Sequence, residues 1–502
     1  LPRQDDFFNQ RRQEGEKRTR DKFDDTATLA LDRFGAAMES VLTPRAQKWH
    51  RLIIQNPELE EDQEVKEWLD KLNDMLFRIR YSPKANYASQ QHETYMSLGA
   101  FGTGVLIVED LVGQGIRYKS SHISEHYFME NVHGLVDVDY RRYRLTARQA
   151  QQKFKENTPP SVLKALDKTP GRKMEFLHVV MPDLDGESGT NFISHHVSIE
   201  DKQLIGAGGF KSFPYIISRY TTSPNETYGR SPAMTALAEI KMINAMRKTD
   251  LKARHLAVDP PMLAADQKTI RKFSMQPSKI NYGTLDINGN PLVKPFNSGV
   301  SIQTSNDGID QSRKFINDTF LVTLFQILVE APTMTATEVL QRAQEKGALL
   351  GPTMGRQQSE SQGPMIEREI GILEDYGTFE DDGALPMPQS LKDAGGSFEI
   401  EYTSPLSRLQ RSEEALATER TIQSLIPIAQ IDPSIMDKID FDEYANIMRE
   451  SNGAPAKLFR ADDEVEALRE QKAQAAQMQQ MVEAAPQVAG AVKDIAQAQS
   501  FD

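Results

Sequence analysis

Three glycines between residues 99 and 104 are the first feature of this 502-residue chain that could do chemistry. The run Gly99-Ala-Phe-Gly-Thr-Gly104 could cradle a phosphate, because free backbone N–H groups bind anions where a loop opens a helix. Here the following residues, Val105 to Asp110, favour a strand, and no Gly-Lys-Ser/Thr follows the loop. We therefore expect a tight turn from a helix into a strand.

Two adjacent histidines and two acidic pairs could bind a metal ion. His195 and His196 lie in a predicted strand, where neighbouring side chains point to opposite faces and cannot easily share one ion. The acidic pairs are Asp137 with Asp139 and Asp183 with Asp185. The second pair lacks the later ligands of a calcium loop, and no Ser/His/Asp arrangement has a local signature. We expect no metal, no cofactor and no catalytic residue.

An aromatic and basic stretch, Tyr140-Arg-Arg-Tyr-Arg144, could stack on a nucleic acid and clamp it. On a strand the same residues would simply give one half-buried face and one charged face. The chain as a whole is acidic, because 72 acidic against 59 basic side chains give a formal net charge of −13. A protein that wraps nucleic acid usually carries the opposite sign.

Composition narrows the class of protein further. The chain has no cysteine, which excludes disulfide scaffolds and thiolate metal sites and fits a reducing cytosol. Its densest apolar run, residues 320–329, is too short to span a membrane. These features predict a large, soluble, acidic intracellular protein with no membrane partner.

The pattern of apolar residues predicts an α+β chain. Helices are expected at 21–42, 62–78 and from 87 to 98. Short β-branched and aromatic runs between 105 and 144 suggest a small antiparallel sheet. Thr146 is the expected N-cap of a further helix. More strands are predicted at 176–181, 195–199, 213–220 and 398–402.

The middle of the chain predicts two long helices with a small β-rich excursion between them. Ser231-Pro232 starts a helix that Asp259-Pro260-Pro261 must stop. A compact stretch, 259–307, separates it from a second helix at 308–330. An isolated hairpin of this kind would leave much apolar surface uncovered. Self-association around an axis would cover that surface, and a ring is one closed solution.

The C-terminal third is predicted to be mainly helical. Residues 331–355 contain a helix broken at Gly347–Gly355, and helices with one strand follow in 356–460. The acidic tail, 461–502, is rich in Ala and Gln, which favours exposed helices over a packed core.

Several motifs, in order along nearly the whole chain, resemble the portal proteins, or head-to-tail connectors, of short-tailed double-stranded DNA bacteriophages. The similar segments are Asp25-Thr-Ala, Phe34-Gly-Ala-Ala-Met, Leu42-Thr-Pro, Leu98 to Leu106, Tyr140 to Ala150, Tyr228-Gly-Arg-Ser-Pro232, Ala257-Val-Asp-Pro-Pro261, Leu349-Leu-Gly-Pro352 and Tyr402-Thr-Ser-Pro-Leu406. The most telling is the family motif formed by Met334, Thr335, Ala336, Thr337, Glu338 and Val339. Each is weak alone, but their shared order makes chance unlikely.

The resemblance implies a ring, typically of twelve subunits, at one vertex of the capsid. Residues 1–231 and 356–460 would form the wing, 232–258 and 308–330 the stem, 259–307 the clip and 461–502 the crown. Double-stranded DNA would pass through the channel without sequence specificity. The implied protein partners are the terminase motor, then a tail adaptor or nozzle protein, with the major capsid and scaffolding proteins. The particle would assemble in the bacterial cytoplasm.

Two candidate surfaces follow from this architecture. The clip surface is locally basic through Lys268, Arg271, Lys272, Lys279 and Lys294. It would suit an acidic partner or DNA at the exit, although ordinary surface lysines explain it as well. The candidate channel loop comprises Lys346, Gly347, Leu349, Leu350, Gly351, Pro352, Gly355 and Arg356. A shorter break at Ala331–Thr333 is its rival, and the sequence does not separate the two.

Two other functions stay open at this point. An enzyme of the packaging machinery, either a nuclease or a motor subunit, would need a phosphate loop or clustered metal-binding carboxylates. A different virion adaptor protein would not need paired long helices with a β tip.

Overall fold

The computed structural model describes most of the chain up to residue 403 and short pieces beyond it. The described residues are 22–54, 59, 62–111, 115–186, 189–264, 273–296, 302–322, 351–393, 395, 398–403, 418–427 and a few positions between 435 and 475. Contacts divide the chain into two compact units. The first comprises 1–49, 77–376 and 404–409, and the second comprises 50–76, 377–403 and 410–502.

The elements named below are numbered in chain order. The helices are α1 (Thr26–Leu42), α2 (Gln63–Arg80), α3 (Tyr87–Phe101), α4 (Ala147–Phe154), α5 (Pro160–Lys168), α6 (Pro232–Thr235), α7 (Leu237–Val258), α8 (Ile302–Thr319), α9 (Gly363–Asp375) and α10 (Gln389–Asp393). The strands are β1 (His50–Ile53), β2 (Thr103–Leu111), β3 (Gly115–Ser121), β4 (His126–Glu130), β5 (Val136–Thr146), β6 (Lys173–Pro182), β7 (Phe192–Ser198), β8 (Gln203–Phe210), β9 (Tyr215–Arg219), β10 (Met262–Ala264), β11 (Val293–Pro295) and β12 (Glu399–Tyr402). The mixture of helices and sheets confirms the predicted α+β character.

Two larger antiparallel sheets lie in the first unit, besides the short pair β10–β11. One has the order β3-β2-β9 and the other the order β4-β5-β6-β7-β8. Val105 and Ile107 of β2 share a buried core with Ile217 of β9 and with Val180 of β6 in the other sheet. The predicted strands are confirmed, but β8 was missed because Gly206, Gly208 and Gly209 give it little β propensity.

Helices α4 and α5 cover part of the five-stranded sheet. Thr146 caps α4 as predicted: its Oγ1 accepts from the Gln149 N–H at 3.3 Å, and Gln149 Oε1 accepts from the Thr146 N–H at 2.9 Å. This reciprocal capping box satisfies two backbone donors that the first helical turn leaves free. Phe154 and Val162 then pack on Phe176 of the sheet.

The second unit contains a strand pair that brings distant parts of the chain together. Strand β1 pairs antiparallel with β12, with His50 opposite Tyr402. The Trp68 ring lies edge-on to Phe379, and its Nε1–H donates to the Leu385 carbonyl at 3.4 Å. Strand β12 was predicted, whereas β1 was not.

Helices α6, α7 and α8 correspond to the two predicted long helices, with corrected limits. Ser231 Oγ accepts from the Met234 N–H at 2.9 Å, which confirms the predicted start, and α7 ends at Val258 as expected. The second helix was predicted at 308–330, but α8 begins at Ile302 and ends at Thr319, and residues 323–330 lie outside the described residues. The chain leaves the helix at Leu321, whose φ is 57°.

The segment 351–357 is helical and leads through a π-helix, Gln358–Gln362, into α9. The predicted break at Gly347–Gly355 is therefore wrong for its described part. Gly351, Pro352 and Gly355 read as breakers, but each is tolerated in a helix when packing compensates. Residues 347–350 lie outside the described part of the chain.

Candidate functional site

The hairpin formed by α7 and α8, called the stem hairpin below, is the candidate site. Its base is anchored in an apolar core that also contains residues of α1 and α3. The buried side chains of this core include Phe34, Met38, Leu98, Ile243, Ile309, Ile316 and Phe320. Burying several large aliphatic and aromatic side chains is worth about 1.5–3 kcal/mol each. The stem hairpin is therefore a continuous part of the first unit.

A cluster of ion pairs within α7 is joined to α8 by a hydrogen bond. Asp250 is buried, and its Oδ2 accepts from Arg254 Nε at 2.9 Å and from Arg247 Nη1 at 3.2 Å. Arg254 Nη2 also donates to Asn306 Oδ1 on α8 at 2.9 Å. Because Arg254 contacts both helices, it ties the buried carboxylate to the opposite side of the hairpin.

A second carboxylate, Asp24, joins the hairpin to the residues before α1. Its Oδ2 accepts from Arg313 Nη2 of α8 at 3.0 Å. Burial alone would raise the pKa of Asp24, but hydrogen bonds from Thr26 and Arg313 bring it below its ordinary value. The carboxylate is therefore held in its charged form next to α8.

The tip of the stem hairpin is a short antiparallel pair of strands, β10 and β11, with Met262 opposite Pro295. Large apolar side chains are exposed around it: Leu263, Met275, Ile280, Tyr282, Leu285 and Ile287. An exposed apolar group of this size commonly marks an interaction surface.

The structure places two of the five predicted clip cations. Lys279 is exposed, and its ammonium donates to Gln276 Oε1 at 3.1 Å. Lys294 is exposed on β11 opposite Leu263. Lys268, Arg271 and Lys272 lie outside the described residues, so the proposed basic surface stays a prediction.

The candidate channel loop is placed only in part. Gly351, Pro352, Gly355 and Arg356 lie in the helical segment described above. The Arg356 Nη1 donates to Glu360 Oε1 at 3.1 Å. Lys346, Gly347, Leu349 and Leu350 lie outside the described residues. So do the rival break at Ala331–Thr333 and the whole family motif, 334–339. A role in contacting DNA stays a prediction.

The sequence did not predict the π-helix that follows this segment. Glu360, within it, accepts from Arg219 Nη2 at 2.7 Å, and Gln357 Nε2 donates to the Arg219 carbonyl at 2.8 Å. Gln362 Nε2 donates to the Leu42 carbonyl at 2.9 Å. Wide helical turns of this kind often occur at functional sites. Glu360 and Gln362 in the π-helix, and Gln357 directly before it, thus bond to buried partners. These bonds hold the end of the channel-loop segment in place.

A buried Ser–His–Asp arrangement also escaped the sequence analysis, because its members lie on three different strands. His126 Nε2 is 2.8 Å from Ser121 Oγ, and His126 Nδ1 is 2.8 Å from Asp139 Oδ2. Ser121 Oγ donates to Glu125 Oε2 at 3.0 Å. The Ser121, His126 and Asp139 residues are 6%, 2% and 0% exposed. A substrate has no access to this hydroxyl, so the network is part of the polar core.

The stretch Tyr140–Arg144 is structural, as its simpler interpretation expected, although each strand face carries one tyrosine. Arg142 and Arg144 both pair with Glu175, each at 2.6 Å. On the other face Tyr143 is buried, and Arg141 pairs with Glu125 at 3.0 Å. These guanidinium groups already have carboxylate partners, which leaves a nucleic acid little to bind.

His178 and His196 stack on each other inside the five-stranded sheet, with ring centroids 3.9 Å apart. His178 Nε2 is also 2.8 Å from Ser194 Oγ. Burial lowers the pKa of His178 to about 2 and that of His196 to about 3, and nearby cations, including Lys153, add to the effect. Both imidazoles are therefore neutral in the folded protein at neutral pH.

The histidine pair predicts acid sensitivity. An unfolded histidine titrates near pH 6.5, so below that pH the unfolded chain binds more protons and the free energy of unfolding falls. Each histidine should remove about 2 kcal/mol by pH 5. Thermal unfolding from about pH 8 to about pH 5 measures the loss. His196→Gln should make the profile shallower and His133→Gln, at an exposed site, should not. A flat wild-type profile contradicts the prediction.

The described residues form neither a metal-binding cluster nor a membrane-spanning helix. In that part of the chain no group of three or more His, Cys, Asp or Glu side chains is placed to hold a metal ion. Among the same residues, no helix combines the length and the apolar character needed to cross a membrane.

Comparison with known proteins identifies relatives. The probable portal protein of Bordetella phage BPP-1 is 26% identical over 485 residues, which cover 94% of this chain and 86% of that protein. The portal protein of Salmonella phage epsilon15 is 26% identical over 495 residues, covering 95% and 87%. The solved neck of an empty gene transfer agent particle, computed with C6 symmetry, matches with a TM-score of 0.37 and 13% identity, covering 79% and 86%. That structural likeness is too low to support an argument.

A family-wide comparison gives the assignment. The family described as bacteriophage head to tail connecting protein matches residues 1–459, which is most of the chain. The resemblance found in the sequence motifs is thereby confirmed, and the chain belongs to the bacteriophage head-to-tail connecting protein family.

Proposed function

We propose that the chain is the portal subunit of a short-tailed phage: a structural ring at one capsid vertex, through which double-stranded DNA is packaged and ejected. The observation that supports this most directly is the stem hairpin, whose long helices and exposed β tip fit a channel wall with an outer docking end. The family description and the relatives' names point to a structural connector, so the nuclease or motor alternative is wrong.

A ring explains the apolar surface of the hairpin. Along α7 and α8, Met242, Leu251, Leu256 and Phe315 are each between 38% and 48% exposed. A neighbouring copy on each side would cover such residues, and rotation around one axis closes the assembly without leaving a free end. We propose a ring of twelve subunits with wing, stem, clip and crown, in which the second stem helix has the limits of α8.

The negative net charge of such a ring favours free passage of DNA over tight binding of DNA. Twelve copies at −13 each give 12 × −13 = −156 formal charges around a polyanion. Since every neutralised phosphate adds affinity regardless of sequence, a duplex that must slide should meet few cations. We propose non-specific DNA contacts that are limited to small parts of the channel wall.

The partners follow from the same arrangement. The clip surface, with its exposed Ile280, Tyr282 and Ile287, would dock the terminase motor during packaging and then a tail adaptor or nozzle protein. The wing would contact the major capsid and scaffolding proteins, and the acidic tail would face the genome. The protein would assemble in the bacterial cytoplasm and reside in the virion.

The oligomeric state tests this proposal. Native mass spectrometry and negative-stain imaging of the purified protein should show a closed ring of about twelve copies with a central hole, because only closure covers both apolar sides of the stem hairpin. A nuclease and ATPase assay on the same sample should show no activity. A stable monomer, or a preparation that hydrolyses ATP or cuts DNA, would overturn the proposal.

A further inference from the structure

One face of α7 carries three exposed lysines and an exposed histidine in one row. The row consists of Lys241, Ala245, Lys248, Lys252 and His255. These positions are spaced i, i+4, i+7, i+11 and i+14, which keeps them on one side of an α-helix. All five residues are exposed. We call this row the lysine stripe.

The lysine stripe lies on the side of α7 that faces away from the hairpin core. Ile243 and Asp250, which are buried, lie about half a helical turn away from it. The arginines nearer to the core, Arg247 and Arg254, are engaged by Asp250. The helix thus carries two sets of cations, one used inside the hairpin and the other displayed.

The displayed set has no carboxylate partner among the described residues. None of Lys241, Lys248 or Lys252 forms an ion pair there, and only Lys248 has an aromatic neighbour, the Phe23 ring at 5.3 Å. Three unpaired lysines within about 16 Å of helix make a concentrated positive line on an acidic protein.

Apolar residues flank the lysine stripe on both sides. Leu251 and Val258 lie along one edge, and Met242 and Leu256 along the other, and all four are exposed in the isolated chain. In a closed ring every subunit has a neighbour on each side, so both edges would be covered. The stripe between them would then face either the channel or the exterior.

We propose that the lysine stripe faces the channel and binds the phosphate backbone of double-stranded DNA; this inference rests on the portal function proposed above. Charge complementarity selects the inside, because a polyanion passes there and the ring as a whole is acidic. Lysine suits the task, since its ammonium is a hydrated point charge on a flexible stem and does not hold a phosphate in a rigid fork. The duplex would be guided without being fixed.

Because the chain has no cysteine, a single introduced thiol can locate the stripe. Ala245→Cys lies within it, and Ala207→Cys, on exposed β8, is the matched control. In purified rings, a small maleimide should label both thiols, whereas a maleimide attached to a large protein should label only the control. Labelling of Ala245→Cys by the bulky reagent would put the stripe outside. Failure of both reagents would put it in the subunit interface, and either result overturns the inference.

Binding of a short linear duplex to the same rings tests the charge. Lys241→Gln, Lys248→Gln and Lys252→Gln together should lower the slope of log affinity against log salt by about one for each lysine that contacts a phosphate. The control replaces three exposed lysines of the sheet region, Lys164, Lys168 and Lys202, by glutamine and should leave the slope unchanged.

The two proposals fail differently in these experiments. If the wild-type protein forms no ring, the portal function itself is wrong. If the rings form and the stripe variant binds the duplex with the wild-type slope, the portal function stands and the lysine stripe does not contact DNA.

Discussion

Gly102→Ala is expected to lower the free energy of unfolding by about 2–5 kcal/mol, the sum of a left-handed backbone and a steric clash. Gly102 ends α3 with φ +77°, a conformation that side chains with a Cβ disfavour. A Cβ atom there would lie 2.4 Å from the Gly229 carbonyl oxygen and 2.5 Å from the Arg230 carbonyl carbon. Both obstacles are backbone atoms, so no side-chain rotation can relieve the contact.

The matched control for this prediction is Gly115→Ala. Gly115 also has a positive φ, +97°, but a Cβ there would meet nothing within 4 Å. Urea unfolding of both variants therefore separates backbone strain from steric contact, and Gly115→Ala should lose only about 1–2 kcal/mol. Equal losses in the two variants would show that the approach of Gly102 to Gly229 does not limit stability.

Gly102→Ala should also affect the stem hairpin, because the turn at Gly99–Gly104 is hydrogen-bonded to the residues from which the hairpin starts. Ser231 Oγ, which caps α6, also donates to the Ala100 carbonyl at 2.9 Å, and the Tyr220 N–H donates to the Gly102 carbonyl at 2.9 Å. A shift at Gly102 would move the residues from which α6 and α7 begin. Rings of a Gly102→Ala protein should therefore form poorly even where the chain still folds.

The glycine turn also shows what local sequence can and cannot specify. The change from helical to strand pattern at Gly99–Gly104 predicted the turn correctly, because the chemistry of such a turn lies within a few residues. The close approach to Gly229 could not be predicted, since the two glycines are far apart in sequence and no local pattern links them. The same limit hid the pairing of β1 with β12.

The predicted limits of the second stem helix were wrong because tertiary packing determines where this helix ends. The sequence predicted that the second stem helix would continue through the apolar run after Thr319, since those residues suit a helix. In the structure Phe320 and Val322 are buried in the core shared with α1 and α3, and the chain turns at Leu321 to put them there. Packing thus interrupts the helix at residues 320 and 321, and residues 323–330 lie outside the described part of the chain.

The charged residues of the stem hairpin show the same limit of prediction from sequence. Arginines and lysines are interspersed along α7, and Asp250 lies three residues after Arg247 and four before Arg254, a spacing that favours ion pairs on one helix face. Only the structure shows that Arg254 also donates to Asn306 of α8. The sequence therefore predicted two stem helices but not the contact that joins them.

Glu369→Gln is the second change with a large expected effect, a loss of about 3–5 kcal/mol in the free energy of unfolding. Glu369 of α9 forms a fully buried pair with Arg80: the guanidinium Nε donates to its Oε1 at 3.1 Å, and Nη2 donates to its Oε2. The two side chains are 1% and 0% exposed. Tyr118 also donates its hydroxyl to Glu369.

The physical reason is the charge that the substitution leaves behind. Burial alone would lower the pKa of Arg80, but Glu369 raises it, so the guanidinium remains charged inside the protein. Arg80 lies 4.7 Å above the Trp49 ring, which is too weak a partner to replace a carboxylate. Glutamine keeps the shape of the side chain but removes its charge and replaces one acceptor oxygen by an NH2 donor, so the loss measures a buried cation without its carboxylate.

A double substitution distinguishes this mechanism from lost packing. Arg80→Met with Glu369→Leu removes both charges, and it should recover much of the stability, because apolar replacements of a buried pair are often neutral or stabilising. Glu175→Gln, which breaks the partly exposed pairs with Arg142 and Arg144, is the control and should lose at most about 1 kcal/mol. If the double variant is as unstable as Glu369→Gln, the pair stabilises the protein through its shape. In that case the contact between the end of α2 and α9, which continues from the predicted channel-loop segment, does not depend on charge.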